Sequence, residues 1–253
     1  MILAPADGSV AIGITPDATG VGRASMRLRP GLLAPRVLSA DATGARIALV
    51  ATEALLLPGD TVRLDVEVAD GGRLEIVETA GTVAYDGAGE PSWWTVRIRL
   101  GVGARLRWHG EPFVVADGAR VTRTLDLEAA DGAEAVFRET LVLGRTGELG
   151  GDLLARTRVT LAGEPLLLED LDLQRSTRGR PGLLGSDRVV DSVLVLGRVA
   201  GPVSAAAGER FDLHGPGTVL RWTGRDLHRS PAPGWWTAVR AAGSGGRPGA
   251  TDG

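Results

Sequence analysis

The side chains in this sequence that could do chemistry are overwhelmingly carboxylates: Asp and Glu number 31, against three histidines and no cysteine. Two facing carboxylates could hydrolyse a glycosidic bond, and that possibility stays open here. His109, His214 and His228 come from distant segments, so only the fold could assemble them into a zinc site. The His-Gly-Glu at 109–111 shares its ends with a deaminase signature but has no Pro-Cys-x-x-Cys partner. "GVGARL", 101–106, lacks the third glycine of a dinucleotide fingerprint and runs into "RWHGEP" where a helix should begin. "GRTGELGG", 144–151, has no Gly-Lys-Ser/Thr, and no Gly-x-Ser-x-Gly elbow occurs. Every basic side chain is arginine, which removes Schiff-base chemistry and the phosphate-loop lysine. Without cysteine there are no thiol nucleophiles, iron–sulfur clusters or disulfides.

The elements that must position these groups are strands. In "VRLDVEV", Val62, Leu64, Val66 and Val68 share one face and Arg63, Asp65 and Glu67 the other. "VRIRL" at 96–100 and "TLDLE" at 124–128 alternate in the same way. Strands that bury one face and wet the other suit antiparallel or sandwich packing. Between them a glycine turn recurs: Gly44, Gly71, Gly103, Gly132 and, more loosely, Gly163 align, with differences of 27, 32, 29 and 31. A period near 30 residues suits stacked repeats, and a generic sandwich with frequent hairpins is the alternative. The fold class is therefore all-β, with antiparallel or mixed strands stacked in two layers, solenoid-like or sandwich, and few short helices. "ATEALLLPGD" and "DLLAR" could each hold a helical turn.

A chain of 253 residues can bury a sizeable core, and 43% hydrophobic with 23% charged residues is a globular composition. Residues 1–22 are weakly patterned, 23–240 read as one all-β domain, 174–188 as a long loop, and 241–253 as a disordered tail. A net charge of −3 offers no field for nucleic acid. No apolar run has the length of a membrane span and no signal peptide is read, so a soluble, cytoplasmic protein is expected. The tryptophan pairs Trp93–Trp94 and Trp235–Trp236 are read as strand residues with one ring on each face. One ring of each pair could anchor a partner, and the alternative is that both cover a core edge.

Five motifs in fixed order carry a resemblance over roughly residues 23–225. They are Pro58-Gly59-Asp60 leading into alternating strands, Thr79 to Tyr85, "GARLRWHGEP" from Gly103 to Pro112, the set Glu139, Gly144, Arg145, Gly147 and Glu148, and "GEPLLLEDLDL" from Gly163 to Leu173. In this order they resemble the urease accessory proteins of the UreD family, also called UreH. The sequence departs from the family's usual pattern at Val83, where a lysine is common, at Glu78, where a Thr-Thr pair is common, and at Gly110.

The resemblance implies a non-enzymatic maturation factor with an all-β fold of stacked strands. It would bind apo-urease on one side and UreF on the other, with the GTPase UreG held through UreF. Nickel would pass in transit through an internal path, with no cofactor bound permanently. Oxygen ligands and waters suit such transit, because thiolates and histidine clusters hold nickel too tightly to release it. On this reading Asp60, Glu139, Glu148 and Thr79 are the path-lining candidates. Arg145 is a partner for Glu139 or Glu148, since a buried carboxylate needs pairing. Asp60 could equally cap its turn. Trp93, Trp94, Trp235 and Trp236 are the candidates for a partner surface. The competing functions are a carboxylate-dependent hydrolase and an interaction module of another assembly.

Overall fold

The computed structural model describes residues 9–180, 182–203 and 208–242. Two hairpins open the chain. They are β1 (Ser9–Thr15) with β2 (Ser25–Arg29), and β3 (Leu33–Ala40) with β4 (Gly44–Ala51). Three coils follow, each laying one strand in a first sheet and the next in a second. The first-sheet strands are β5 (Thr61–Val68), β8 (Ser92–Leu100) and β11 (Arg120–Ala129). The second-sheet strands are β6 (Arg73–Glu78), β9 (Arg105–His109) and β12 (Glu134–Leu143). Short strands β7 (Thr82–Ala84) and β10 (Phe113–Val115) lie on the return path and pair with each other. β13 (Asp152–Leu161) and β14 (Glu164–Asp172) close the first sheet. β15 (Val189–Leu196), β16 (Glu209–Asp212) and β17 (Gly217–Gly224) close the second.

Within each sheet the coiled strands pair parallel: β1, β5, β8, β11 and β13 in the first, β4, β6, β9 and β12 in the second. The alternating pattern had argued for antiparallel strands. Parallel strands tolerate it here because, among the described residues, no helix covers the first sheet's outer face. That face solves its own electrostatics: Asp65, Arg97, Asp126 and Arg158 are register neighbours on four successive strands, so each charge meets its opposite. The inner faces supply the core, including Ile12, Leu64, Ile98 and Leu127 from one sheet and Ile47, Ile76, Leu106 and Leu141 from the other. Each such side chain contributes about 1.5–3 kcal/mol on burial.

The glycine repeat has a direct structural meaning. Gly71, Gly103 and Gly132 sit at φ 65°, 63° and 66° in turns that cross from first to second sheet. The turns stack, with Gly71 N–H donating to Val102 O at 2.8 Å and Gly103 N–H to Asp131 O at 3.0 Å. Gly44 and Gly163, which align with them in sequence, instead turn the β3–β4 and β13–β14 hairpins. The stack therefore has three crossing turns bracketed by hairpins.

Several expected elements differ. β1 falls within the first 22 residues and lies between β2 and β5, so residues 9–15 are part of the first sheet, and residues 1–8 lie outside the described residues. "DLLAR" is the start of β13, and "ATEALLLPGD" contains no helix. The helix is elsewhere: α1 spans Ala232–Ala242, after a 3-10 turn at Leu227–Arg229. Its N-terminus is held by Ser230 Oγ, which accepts from Ala232 N–H. Trp235, Trp236 and Val239 pack on Val136, Val193, Val195 and Leu220 of the second sheet's outer face. Residues 174–187 form turns, apart from residue 181, which is not described. The tail read from 241 begins inside α1, and residues 243–253 lie outside the described residues. Among the described residues no helix is long and apolar enough to cross a membrane.

Candidate functional site

Charged residues interrupt the apolar phase of several strands at one level of the stack. On β6, Glu78 follows Leu74 and Ile76 on the inward phase; on β11, Arg123 lies between Val121 and Leu127. On β12, Glu139 lies between Phe137 and Leu141, and on β14 Glu169 lies between Leu167 and Leu171. Ser192 of β15 and Arg221 of β17 complete the row, with Glu139 opposite Ser192 and Ser192 opposite Arg221 in register. The result is a polar seam between two apolar sheets.

Two ion pairs cross the seam in opposite senses. Arg123 Nε of the first sheet reaches Glu139 Oε1 of the second at 2.6 Å. Glu169 of the first sheet takes both Arg221 nitrogens, each at 2.7 Å, and Arg221 Nε donates to Ser192 Oγ at 3.0 Å. The Arg123 guanidinium also lies 4.8 Å from the Phe113 ring centroid and 5.4 Å from that of Trp94. Among the described residues Glu78 has no ion-pair partner of its own. Its oxygens accept from Trp108 Nε1–H at 3.0 Å and Glu111 N–H at 2.9 Å. Burial raises its carboxyl above the ordinary value, against the opposing pull of nearby Arg123.

Glu78 borders two cavities. One, of about 30 Å³, is enclosed by Trp108, Arg123, Glu139, Glu169 and Arg221. That is room for about one water. The other, of about 160 Å³, is bounded by Leu49, Leu55, Thr79, Tyr85 and Trp94 and lies toward the surface. Thr79 is exposed there, its hydroxyl donating to Leu49 O at 3.0 Å.

The predicted residues separate accordingly. Glu139 and Thr79 border these cavities. Asp60 does not: its carboxylate accepts from Leu57 N–H at 2.9 Å and its carbonyl from Trp93 N–H, so it closes the turn into β5. Glu148 is also a turn residue. It accepts from Arg145 and Asp117 N–H and pairs with Arg145 Nε at 2.7 Å, which holds its carboxyl at about 2. Arg145 therefore partners Glu148, while Arg123, which the sequence reading passed over, partners Glu139. Glu78, Glu169 and Arg221 were also passed over, although each is a charge on an otherwise inward phase.

The tryptophans divide as well. On β8, Trp94 is buried and Trp93 is 39% exposed, one ring on each side of the sheet. Exposed Leu57 is linked to Trp93 through Asp60, which accepts from both N–H groups, while exposed Tyr85 borders the cavity that Trp94 lines. Trp235 and Trp236 belong to a helix, not a strand, and both are buried on the second sheet. They form no exposed surface.

A second polar cluster anchors that helix. Asp191 is wholly buried and accepts from Arg138 Nη2, Thr140 Oγ1 and Ser230 Oγ at 3.0, 2.9 and 2.6 Å. Arg138 Nη1 lies 3.0 Å from His109 Nε2. Arginine can only donate, so this His109 nitrogen accepts and the ring is neutral. Burial, then Arg138, lowers its pKa. His109 is thus a structural acceptor packed on Trp236. Among the described residues no three His, Cys, Asp or Glu gather as a metal cluster.

Comparison with known proteins agrees on one family. The profile described as "UreD urease accessory protein" matches residues 8–243. The "Urease accessory protein UreD 1" of Streptomyces griseus subsp. griseus is 48% identical over 218 residues, 85% of this chain and 84% of the relative. The "Urease accessory protein UreD" of Frankia alni is 36% identical, covering 82% of this chain and 75% of its own length. A Saccharopolyspora erythraea "Urease accessory protein UreD 1" is 34% identical, with 82% and 83% covered. The two-sheet stack with its polar seam therefore belongs to the UreD urease accessory protein family.

Proposed function

We propose that this protein serves urease maturation as a non-enzymatic scaffold. It binds apo-urease and the UreF–UreG GTPase complex, and it conveys nickel to the urease active site through the seam between its sheets. The observation that carries this reading is the pair of separate cavities that share Glu78 as a wall residue, which sets oxygen ligands at two successive levels inside an otherwise apolar stack. Thr79 marks the outer cavity, and Glu78 with Glu139 the inner one. Carboxylates and water exchange a divalent cation without trapping it. Every inward carboxylate of the inner cavity is hydrogen-bonded or ion-paired to a side chain of the seam, an arrangement unlike a free pair poised over a sugar. Exposed Trp93, on the outer face of β8, is the ring suited to a partner.

The test is complementation. Cells carrying the cognate urease genes lose urease activity and urease-bound nickel when this gene is deleted, and the wild-type gene restores both. Glu139→Ala fails to restore nickel while still co-purifying with urease, whereas Asp60→Ala, a turn change, restores it to the extent that the protein folds. Activity that survives the deletion, or Glu139→Ala that restores full nickel content, overturns the conduit.

A further inference from the structure

Arg123 is an odd occupant for a seam meant to pass a cation. Its guanidinium sits in the inner cavity's wall beside Glu139, 16% exposed, over two aromatic faces, and lines the same cavity as Glu78. The remaining cavity, about 30 Å³, is too small for a cation with its waters. As built, the seam is closed by a positive charge.

The charges decide what that closure means. Glu78 and Glu139 together carry two potential negative charges on one cavity, and the guanidinium of Arg123 pairs with Glu139. Glu169 and Arg221 neutralise each other. A divalent cation would balance Glu78 and Glu139 as the guanidinium alone cannot.

Resting on the conduit reading, we infer that Arg123 is a displaceable plug: it occupies the place of a divalent cation between Glu78 and Glu139, and the metal passes only when the guanidinium swings aside. No bond is made or broken in the exchange beyond ionic and hydrogen bonds. The Arg123–Glu139 pair is replaced by metal–carboxylate contacts. Arg123 is then a specificity residue: it keeps free cations out of the interior of the isolated protein, so that loading requires a partner that moves it.

The experiment is equilibrium dialysis of the full-length chain against Ni²⁺, with a thermal melt of each variant as control. Arg123→Met is expected to bind Ni²⁺ roughly tenfold or more tightly than the wild type. Adding Glu139→Gln to Arg123→Met is expected to abolish the gain, which separates the seam from adventitious sites at the exposed histidines. Arg123→Gln carries the same comparison if Arg123→Met does not fold. Equal affinity in wild type and folded variant overturns the plug, as does a gain that survives Glu139→Gln. Failure of the two readings is distinguishable. A gained, Glu139-dependent site supports the plug even if urease nickel content in cells proves independent of Glu139, which would sink the conduit. No gained site, with Glu139→Ala still lowering urease nickel, leaves the conduit standing and overturns the plug.

Discussion

Glu78 concentrates the residue-scale physics. Its hydrogen bonds from Trp108 and Glu111 favour the carboxylate, yet burial outweighs them and raises the pKa above the ordinary 4.5. A raised carboxyl binds protons more tightly in the fold than in the unfolded chain. The stability it contributes is therefore complete below pH 4.5 and lost as pH rises through the folded value. Glu148 and Asp41, both held at about 2, act in the opposite sense and lose their contribution only as pH falls below the ordinary carboxylate range. Glu78→Gln should accordingly gain on the wild type as pH is raised from 4.5, read as the difference in urea midpoint. A difference that stays constant with pH would mean Glu78 is not strained by burial. Glu78 was visible in the sequence only as a departure from the family. The sharper signal was its position, a charge where the alternation of Leu74 and Ile76 requires an apolar residue.

At the scale of elements, the glycine turns separate two reasons for having no side chain. Gly103 needs its left-handed φ of 63°, and a Cβ there would meet nothing within 4 Å. Gly103→Ala should cost about 1–2 kcal/mol, all of it conformational. Gly44 has no such φ, but its Cβ would lie 1.8 Å from Arg73 O on the neighbouring strand. Gly44→Ala must push two paired strands apart and should cost more, about 3 kcal/mol. Chemical denaturation of the two variants checks the order, and equal costs would contradict the close approach. The alignment of these glycines was legible because it reports a local backbone need. Whether a given turn crosses between sheets or closes a hairpin was not, because that depends on which strand the chain meets next.

For the whole molecule, the exposed corner of Trp93 and the covered face under α1 make opposite predictions. Trp93→Ala should leave the denaturation midpoint near wild type and weaken co-purification with a maturation partner. Trp235→Ala removes a buried ring and should cost about 3–5 kcal/mol of stability. If Trp93→Ala destabilises the chain as strongly as Trp235→Ala, the corner is core and not a partner surface. The two pairs look alike in sequence, Trp-Trp in each case. They differ because "SWWTVRIRL" continues a period of two, whereas "APGWWTAVRAA" sets Trp235, Trp236 and Val239 on one helical face. That helix carries Pro and Gly in its first turn and is only 11 residues long, so it depends on the sheet beneath it.

By itself the sequence determined the local terms: inward and outward faces of strands, the turns that need glycine, the scarcity of thiol and imidazole ligands, and the family through an ordered set of motifs. Each of these rests on neighbours along the chain. The tertiary structure decided the pairings across it. It set the coiled strands parallel within mixed sheets, drew Arg123 to Glu139 rather than Arg145, turned Asp60 and Glu148 into turn closers, and gathered six inward polar residues from six strands into one seam. The physical reason is that a charge on an inward strand phase must find its partner across the core. Which residue stands there is fixed by the register and stacking of whole sheets, not by spacing in the chain.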